Sequence, residues 1–193
     1  MTAKKNLKRN MVPLSASSSE LVEVVDQQDQ PIAVLPLHEV HKQSLRHRSV
    51  MVLLYNQQGK VFLQKRGYAK ALFPGRWDIS ASGHVQAGES SEDAALRELQ
   101  QKLGIQVDSL RLKQRLEAGP NTGWEFVSLY SAGKVDRQPV PAPLELAGGY
   151  FVDEQELESL VINFRDLLTP GLAYFWENGL IFPSANSHAT ASS

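Results

Sequence analysis

The chain has no cysteine among its 193 residues, which excludes disulfides, thiolate metal ligands and a cysteine nucleophile together. It also lacks any apolar run approaching the ~20 residues that cross a bilayer. The start, Met1 to Asn10, is basic but leads into no apolar stretch of the kind a secretory leader carries. The expectation is a protein neither exported nor membrane-anchored, residing in the cytoplasm. An excess of one charge is missing too, since 20 Lys and Arg oppose 21 Asp and Glu and leave a formal charge of −1. No global field then draws nucleic acid or an anionic membrane, so any anionic ligand must be gripped locally. Lys4, Lys5, Lys8 and Arg9, with no aromatics between them, do not make a nucleic-acid footprint.

What is present suits one domain: 42% hydrophobic and 21% charged positions, in a chain long enough to bury roughly two-thirds of its unfolded surface. Residues 1–19 read as a flexible basic tail and 183–193 as a second tail, because neither can bury enough apolar surface to offset ordering entropy. Between them, residues 20–182 form the single folded unit. Glu20–Val25 and Ile32–Leu35 flank a turn-rich segment and predict a hairpin, which is also the segment we expect to pair in a homodimer. His38–Ser44 predicts a short helix. Ser49–Tyr55 and Val61–Lys65 bracket Gly59 and predict a second hairpin of core strands. Pro74 and Gly75 occupy the central positions of a type II turn leading into a strand at Trp77–Ser80. Further strands are expected at Leu110–Leu116, Trp124–Tyr130 and Gly149–Val152, and helices at Glu154–Leu160 and Leu168–Trp176. Trp124, Phe126 and Tyr130 alternate along their strand and read as core. The order is α+β, a mixed sheet with few helices and no regular βαβ alternation.

The clearest helix is Ser90–Leu103. Ser90 can cap it, Asp93 can close a capping box, and Gly104 supplies the stop. At 100° per residue Ala95, Leu99 and Leu103 share one face, while Glu98, Gln101 and Lys102 cluster on the next. Three carboxylates on such a face would hold a hard divalent cation. Gln101 is a feeble ligand and the Lys102 ammonium repels a cation, so the face sums to zero charge.

Gly83-x5-Glu89-x7-Arg97-Glu98-Leu99-x4-Gly104-Ile105, preceded by Phe73-Pro-Gly-Arg-Trp77, resembles the Nudix box. The resemblance implies an α/β/α sandwich around a mixed β-sheet and hydrolysis of a nucleoside diphosphate linked to another group, with Mg2+ or Mn2+. It implies that Glu98 is the catalytic or metal-ligating acid, that Glu89 and Arg97 form a bracing ion pair, and that the Gly83 backbone lies near the metal, with Gly104 closing the helix. Gln101 and Lys102 stand where the family has two acidic ligands.

The run from His47-Arg-Ser-Val through Leu63-Gln-Lys-Arg66 and Ser82-Gly-His84 to Gly88-Glu89 is similar to the Nudix branch that includes isopentenyl-diphosphate isomerase. That likeness implies metal ligands outside the helix: His41, His47 and His84, with Glu125 as an acid. Three imidazoles would suit zinc or manganese better than magnesium. Two departures count against isomerase chemistry. Ser82 stands where the branch has its catalytic cysteine, and only Glu125 of the later Glu-x-Glu is present. Lys65, Arg66, Arg76 and Lys102 are the candidate clamps for substrate phosphate. The expected partner is a small-molecule diphosphate or nucleotide. A non-catalytic domain that binds such a ligand as a sensor is the alternative to a hydrolase, and an isomerase-like enzyme is the third reading.

Overall fold

β-branched and leucine-rich runs become strands and the capped segments become helices, largely as expected, in the computed structural model, which describes residues 20–70 and 72–182. The expected tails at 1–19 and 183–193 lie outside the described residues. β1 (Leu21–Val25) and β2 (Pro31–Pro36) form the N-terminal hairpin, and α1 (Leu37–Lys42) follows. β3 (His47–Tyr55) and β4 (Val61–Arg66) flank the Gly59 turn, and β5 (Trp77–Asp78) and β6 (Ala81–His84) lead to α2 (Ser91–Leu103). β7 (Arg111–Leu116), β8 (Glu125–Lys134) and β9 (Leu146–Val152) complete the sheet, before α3 (Glu154–Asn163) and α4 (Pro170–Glu177).

β3 is the hub. It runs parallel to β8 and antiparallel to β6, and meets β1 at Val24 opposite His47. It meets β4 only at Tyr55 opposite Val61. The expected β3–β4 hairpin therefore holds at its turn alone, and beyond it β4 takes β5 and β9 as neighbours. Side chains of β3 alternate between two apolar layers. Val50, Val52 and Leu54 pack with Ala95, Leu99 and Leu103 of α2. Leu53 and Tyr55 pack with Leu157 of α3 and with Leu172 and Phe175 of α4. Helices thus cover both faces of a mixed sheet, an α/β/α sandwich, and each fully buried leucine contributes about 1.5–3 kcal/mol.

α2 has the ends its sequence predicts. The Ser90 hydroxyl accepts the Asp93 amide at 3.1 Å, and Gly104 closes the helix in the left-handed region at φ 65°. The Asp93 carboxylate accepts the Ser90 hydroxyl proton at 2.7 Å, so the reciprocal half of the capping box is side chain to side chain. Pro74 and Gly75 sit at the centre of a turn closed by the Arg76 amide on the Phe73 carbonyl at 3.3 Å, with Gly75 at φ 71°. Two expectations need correction. Trp124 precedes its strand at φ 67° and is half-buried under Arg46, and Phe126 is half-buried, so only Tyr130 of the three aromatics joins the core. The strand expected at Trp77–Ser80 is β5 followed by a separate β6, whose small and polar residues hide its strand character.

Candidate functional site

Strand register assembles the first half of the site. The parallel β3–β8 ladder sets His47 opposite Glu125, and the antiparallel β3–β6 ladder sets Ser49 opposite His84. Because side chains alternate, His47, Glu125 and His84 emerge from one face of three adjacent strands, and His41 comes down on them from the last turn of α1. Their donor atoms all lie within 4.8 Å of one another. The three imidazole centroids are 5.0 to 5.3 Å apart, and His47 Nε2 and His84 Nε2 each lie 3.7 Å from Glu125 Oε1.

Protonation follows from the surroundings. His47 Nδ1 faces the Leu45 carbonyl at 2.9 Å, and a carbonyl only accepts, so Nδ1 carries the proton and the neutral ring leaves Nε2 a bare lone pair. Burial, then His84 and His47, push His41 down to about 4, and burial likewise lowers His47. Burial alone would raise the Glu125 carboxyl, but the hydrogen bond and charge of His84, followed by His47, outweigh it and hold it at about 2. The His41 and His47 rings, kept neutral by burial, beside an ionised carboxylate and a third imidazole are a ligand set. His41 Nε2 and His47 Nε2 are buried without a hydrogen-bond partner, an arrangement that costs about 1–3 kcal/mol per group unless something is ligated there. The donor set fits a borderline cation such as zinc or manganese.

The box helix forms the second half, on the other side of β6. Arg97 Nε and Nη2 donate to the two oxygens of Glu89 at 2.8 Å each, Nη2 also donates to the His84 carbonyl at 2.9 Å, and Nη1 donates to Glu98 Oε1 at 2.6 Å. Glu98 is pressed onto the Cα of Gly83, where any Cβ would overlap its carboxylate. Lys102 Nζ reaches Glu98 Oε2 at 3.1 Å and donates to the Ser82 carbonyl. Gln101 is exposed and joins neither. Both oxygens of Glu98 are thus engaged by cations. A divalent ion about 4 Å from the ammonium would meet repulsion of roughly 8 kcal/mol at an effective dielectric of 20, twice the value for two unit charges. The helix face therefore does not fit the metal expected from its register.

The remaining phosphate candidates are placed differently. Arg66 donates to Asp78 at 2.9 Å, and Arg76 donates to the Leu168 carbonyl at 3.2 Å while lying over Phe73. Lys65 lies 5.4 Å from the Trp77 ring centroid and 5.9 Å from that of Tyr68. Ser82 Oγ, at the position of the branch cysteine, accepts from Gln64 Nε2 at 3.2 Å and donates its proton to Asp78 at 3.4 Å. Sequence reasoning missed Glu20, whose carboxyl burial pushes up and which sits in the field of His84, Glu98, Arg97 and Lys102. Nothing in its local pattern marks it out. It missed Asp78 as well, although a buried acid between Trp77 and Ile79 was a signal worth following. An open groove lined by Gln28, Arg48, Arg115 and Phe126 among others contains none of the residues of this site. The Arg48 guanidinium there is consumed by Glu23 and Asp29.

Comparison with known proteins places the chain in a family and a fold. An uncharacterised Nudix hydrolase of Pseudomonas aeruginosa is 44% identical over 101 residues, covering 52% of this chain and 60% of that protein. An isopentenyl-diphosphate Δ-isomerase of Serratia proteamaculans is 32% identical over 142 residues, covering 72% of this chain and 79% of that one. The crystal structure of the Deinococcus radiodurans protein DR0079 superposes with a TM-score of 0.73 at 26% identity, over 82% of this chain and 98% of that one. No described helix is long and apolar enough to cross a membrane. A profile of the NUDIX domain matches residues 45–172, and the chain belongs to the Nudix family.

Proposed function

We propose that the protein hydrolyses a diphosphate linkage in a small molecule, a nucleoside diphosphate joined to another group, with a cation held by His41, His47, His84 and Glu125 rather than by the box helix. The observation that carries this reading is the pair of buried, unpartnered nitrogens, His41 Nε2 and His47 Nε2, beside the ionised Glu125. A cation bound there would lower the pKa of a water and polarise a phosphoryl oxygen. The chain's own residues do the positioning. Leu45 fixes the His47 tautomer, Glu125 sets the charge between His47 and His84, and Arg97 ties the His84 backbone to α2. Lys102, Lys65, Arg66 and Arg76 supply the positive surroundings for phosphate, with Arg66 and Arg76 braced by Asp78 and the Leu168 carbonyl. Glu98, as the partner of Lys102 and Arg97, holds that charge in place.

Release of phosphate or nucleotide should be followed over a panel of nucleoside diphosphate derivatives with Mn2+, Zn2+ and Mg2+ in turn. The expected result is turnover with Mn2+ or Zn2+ that falls by at least about 100-fold in His47→Ala and Glu125→Gln, the scale on which loss of a key site group acts. Turnover unchanged in both variants, or none with any cation, sinks the reading. The relatives named isomerases favour including isopentenyl diphosphate in the panel. Isomerisation in place of hydrolysis would select that second reading, although Ser82 and Val127 leave it without the thiol and the second acid. Ligand binding with no turnover of any kind would select the sensor domain.

A further inference from the structure

The box helix carries a positive charge where its register reserves room for a metal ion. Lys102 folds back along α2 with its side chain only 13% exposed, and its Nζ donates to the Ser82 carbonyl while pairing by charge with Glu98 Oε2 at 3.1 Å. A carboxylate and a backbone carbonyl are the kinds of donor that hold a hard cation. Here both are already spent on an ammonium. The rest of the arrangement keeps it there. Glu98 cannot swing away, because Gly83 backs it on one side and Arg97, itself fastened to Glu89 and the His84 carbonyl, grips its other oxygen. No second carboxylate joins from the helix, since Gln101 is exposed.

We propose that Lys102 is a resident cation that fills the metal place of the box, so that this face of α2 takes a phosphate oxygen on an ammonium and binds no divalent ion. The proposal rests on reading the box as a diphosphate site and is independent of the histidine cluster. An ammonium has three N–H donors, and the Ser82 carbonyl takes one while Glu98 pairs with the charge, so donor capacity is left for a phosphate oxygen. The charge lies among others of its sign. Glu145, which burial alone would make a weaker acid, is held below the ordinary carboxylate range by Lys70, then Lys102 and Arg66, so three cations converge on one small region. Each of these cations has a carboxylate partner, Lys70 with Glu145, Arg66 with Asp78 and Lys102 with Glu98, so a phosphate is held by the free N–H of the ammonium and not by a net field. Lysine acts as a point charge on a flexible stem, so it can follow the phosphate as the ligand settles.

Equilibrium dialysis against Mn2+ alone counts the places directly. The parent should bind one Mn2+ per chain, and Glu98→Gln should leave that count unchanged. Lys102→Glu should raise it to two, and His47→Ala combined with Lys102→Glu should return it to one. Two ions in the parent, with one lost in Glu98→Gln, overturn the proposal, and so does a Lys102→Glu protein that folds and gains none. No ion in the parent but one in Lys102→Glu would leave this inference standing while removing the histidine-held cation. If Lys102→Glu fails to fold, the parent and Glu98→Gln decide alone. Inorganic diphosphate in the presence of a chelator gives a second reading. It should bind the parent at least tenfold more tightly than Lys102→Gln, and equal affinities would overturn the proposal.

Discussion

Replacing Gly83 by alanine inserts one methyl group between β6 and the box helix. In a strand of compatible conformation this change ordinarily stabilises by about 0.4–1 kcal/mol, because alanine has less freedom to lose on folding. Here the new Cβ overlaps Cδ and Oε1 of Glu98 and lies 2.5 Å from its Oε2. All three contacts belong to one side chain, 8% exposed, whose two oxygens are held by Arg97 and Lys102. To make room the carboxylate must leave one of those partners. Overpacking of this kind costs about 1–3 kcal/mol, and a weakened hydrogen bond to a charged group costs about 1.5–3 kcal/mol more. We expect a loss of about 3 kcal/mol by urea denaturation at neutral pH. In a Glu98→Ala background the obstruction is gone, and Gly83→Ala should fall within about 0.5 kcal/mol of neutral, as ordinary substitutions do. The four-protein cycle should therefore show a coupling of about 2–3 kcal/mol, within the range for residues in contact. Equal costs in the two backgrounds would refute the packing of Glu98 on Gly83.

Arg97→Ala removes the side-chain partner of Glu89 and one of the two cations on Glu98, both acids mostly shielded from solvent, and should lower stability by about 3 kcal/mol; a loss under about 1 kcal/mol would contradict a bracing role. Acid should act in two windows. His41 is depressed from 6.5 to about 4, so the unfolded chain takes up that proton first and stability declines as pH falls through that interval. Glu125 is depressed from 4.5 to about 2, so its contribution is present above 4.5 and is lost as pH falls toward 2. His41→Gln should shrink the upper window in pH-dependent denaturation to the part that His47 contributes while keeping the lower, and an unchanged profile would contradict the assignment. Adding Mn2+ or Zn2+ at 100 times its dissociation constant should stabilise the protein by about 2.7 kcal/mol by mass action. His47→Ala should show no such rise in melting temperature, and an equal rise in both proteins would place the ion elsewhere.

Local signals were legible and register was not. α2 could be read from Ser90, Gly104 and the spacing of Ala95, Leu99 and Leu103, because caps and periodicity act within a turn or two. β6 was hidden, since Ser82, Gly83 and His84 serve the site instead of the core: a glycine that admits Glu98, a carbonyl that receives Lys102, and a ring beside Glu125. The histidines could be named from the isomerase likeness, but their convergence depends on two ladders that join residues far apart in sequence. A helical wheel placed Gln101 and Lys102 together. Only packing separates them, with Gln101 left exposed and the longer Lys102 folded onto Ser82.

Anomalous scattering from crystals soaked in Mn2+ tests the central claim most directly. One peak among His41, His47, His84 and Glu125, with Lys102 still bonded to Ser82 and Glu98, is the result the account predicts. A peak between Glu98 and the Ser82 carbonyl with Lys102 displaced, or none at the histidines, would contradict it.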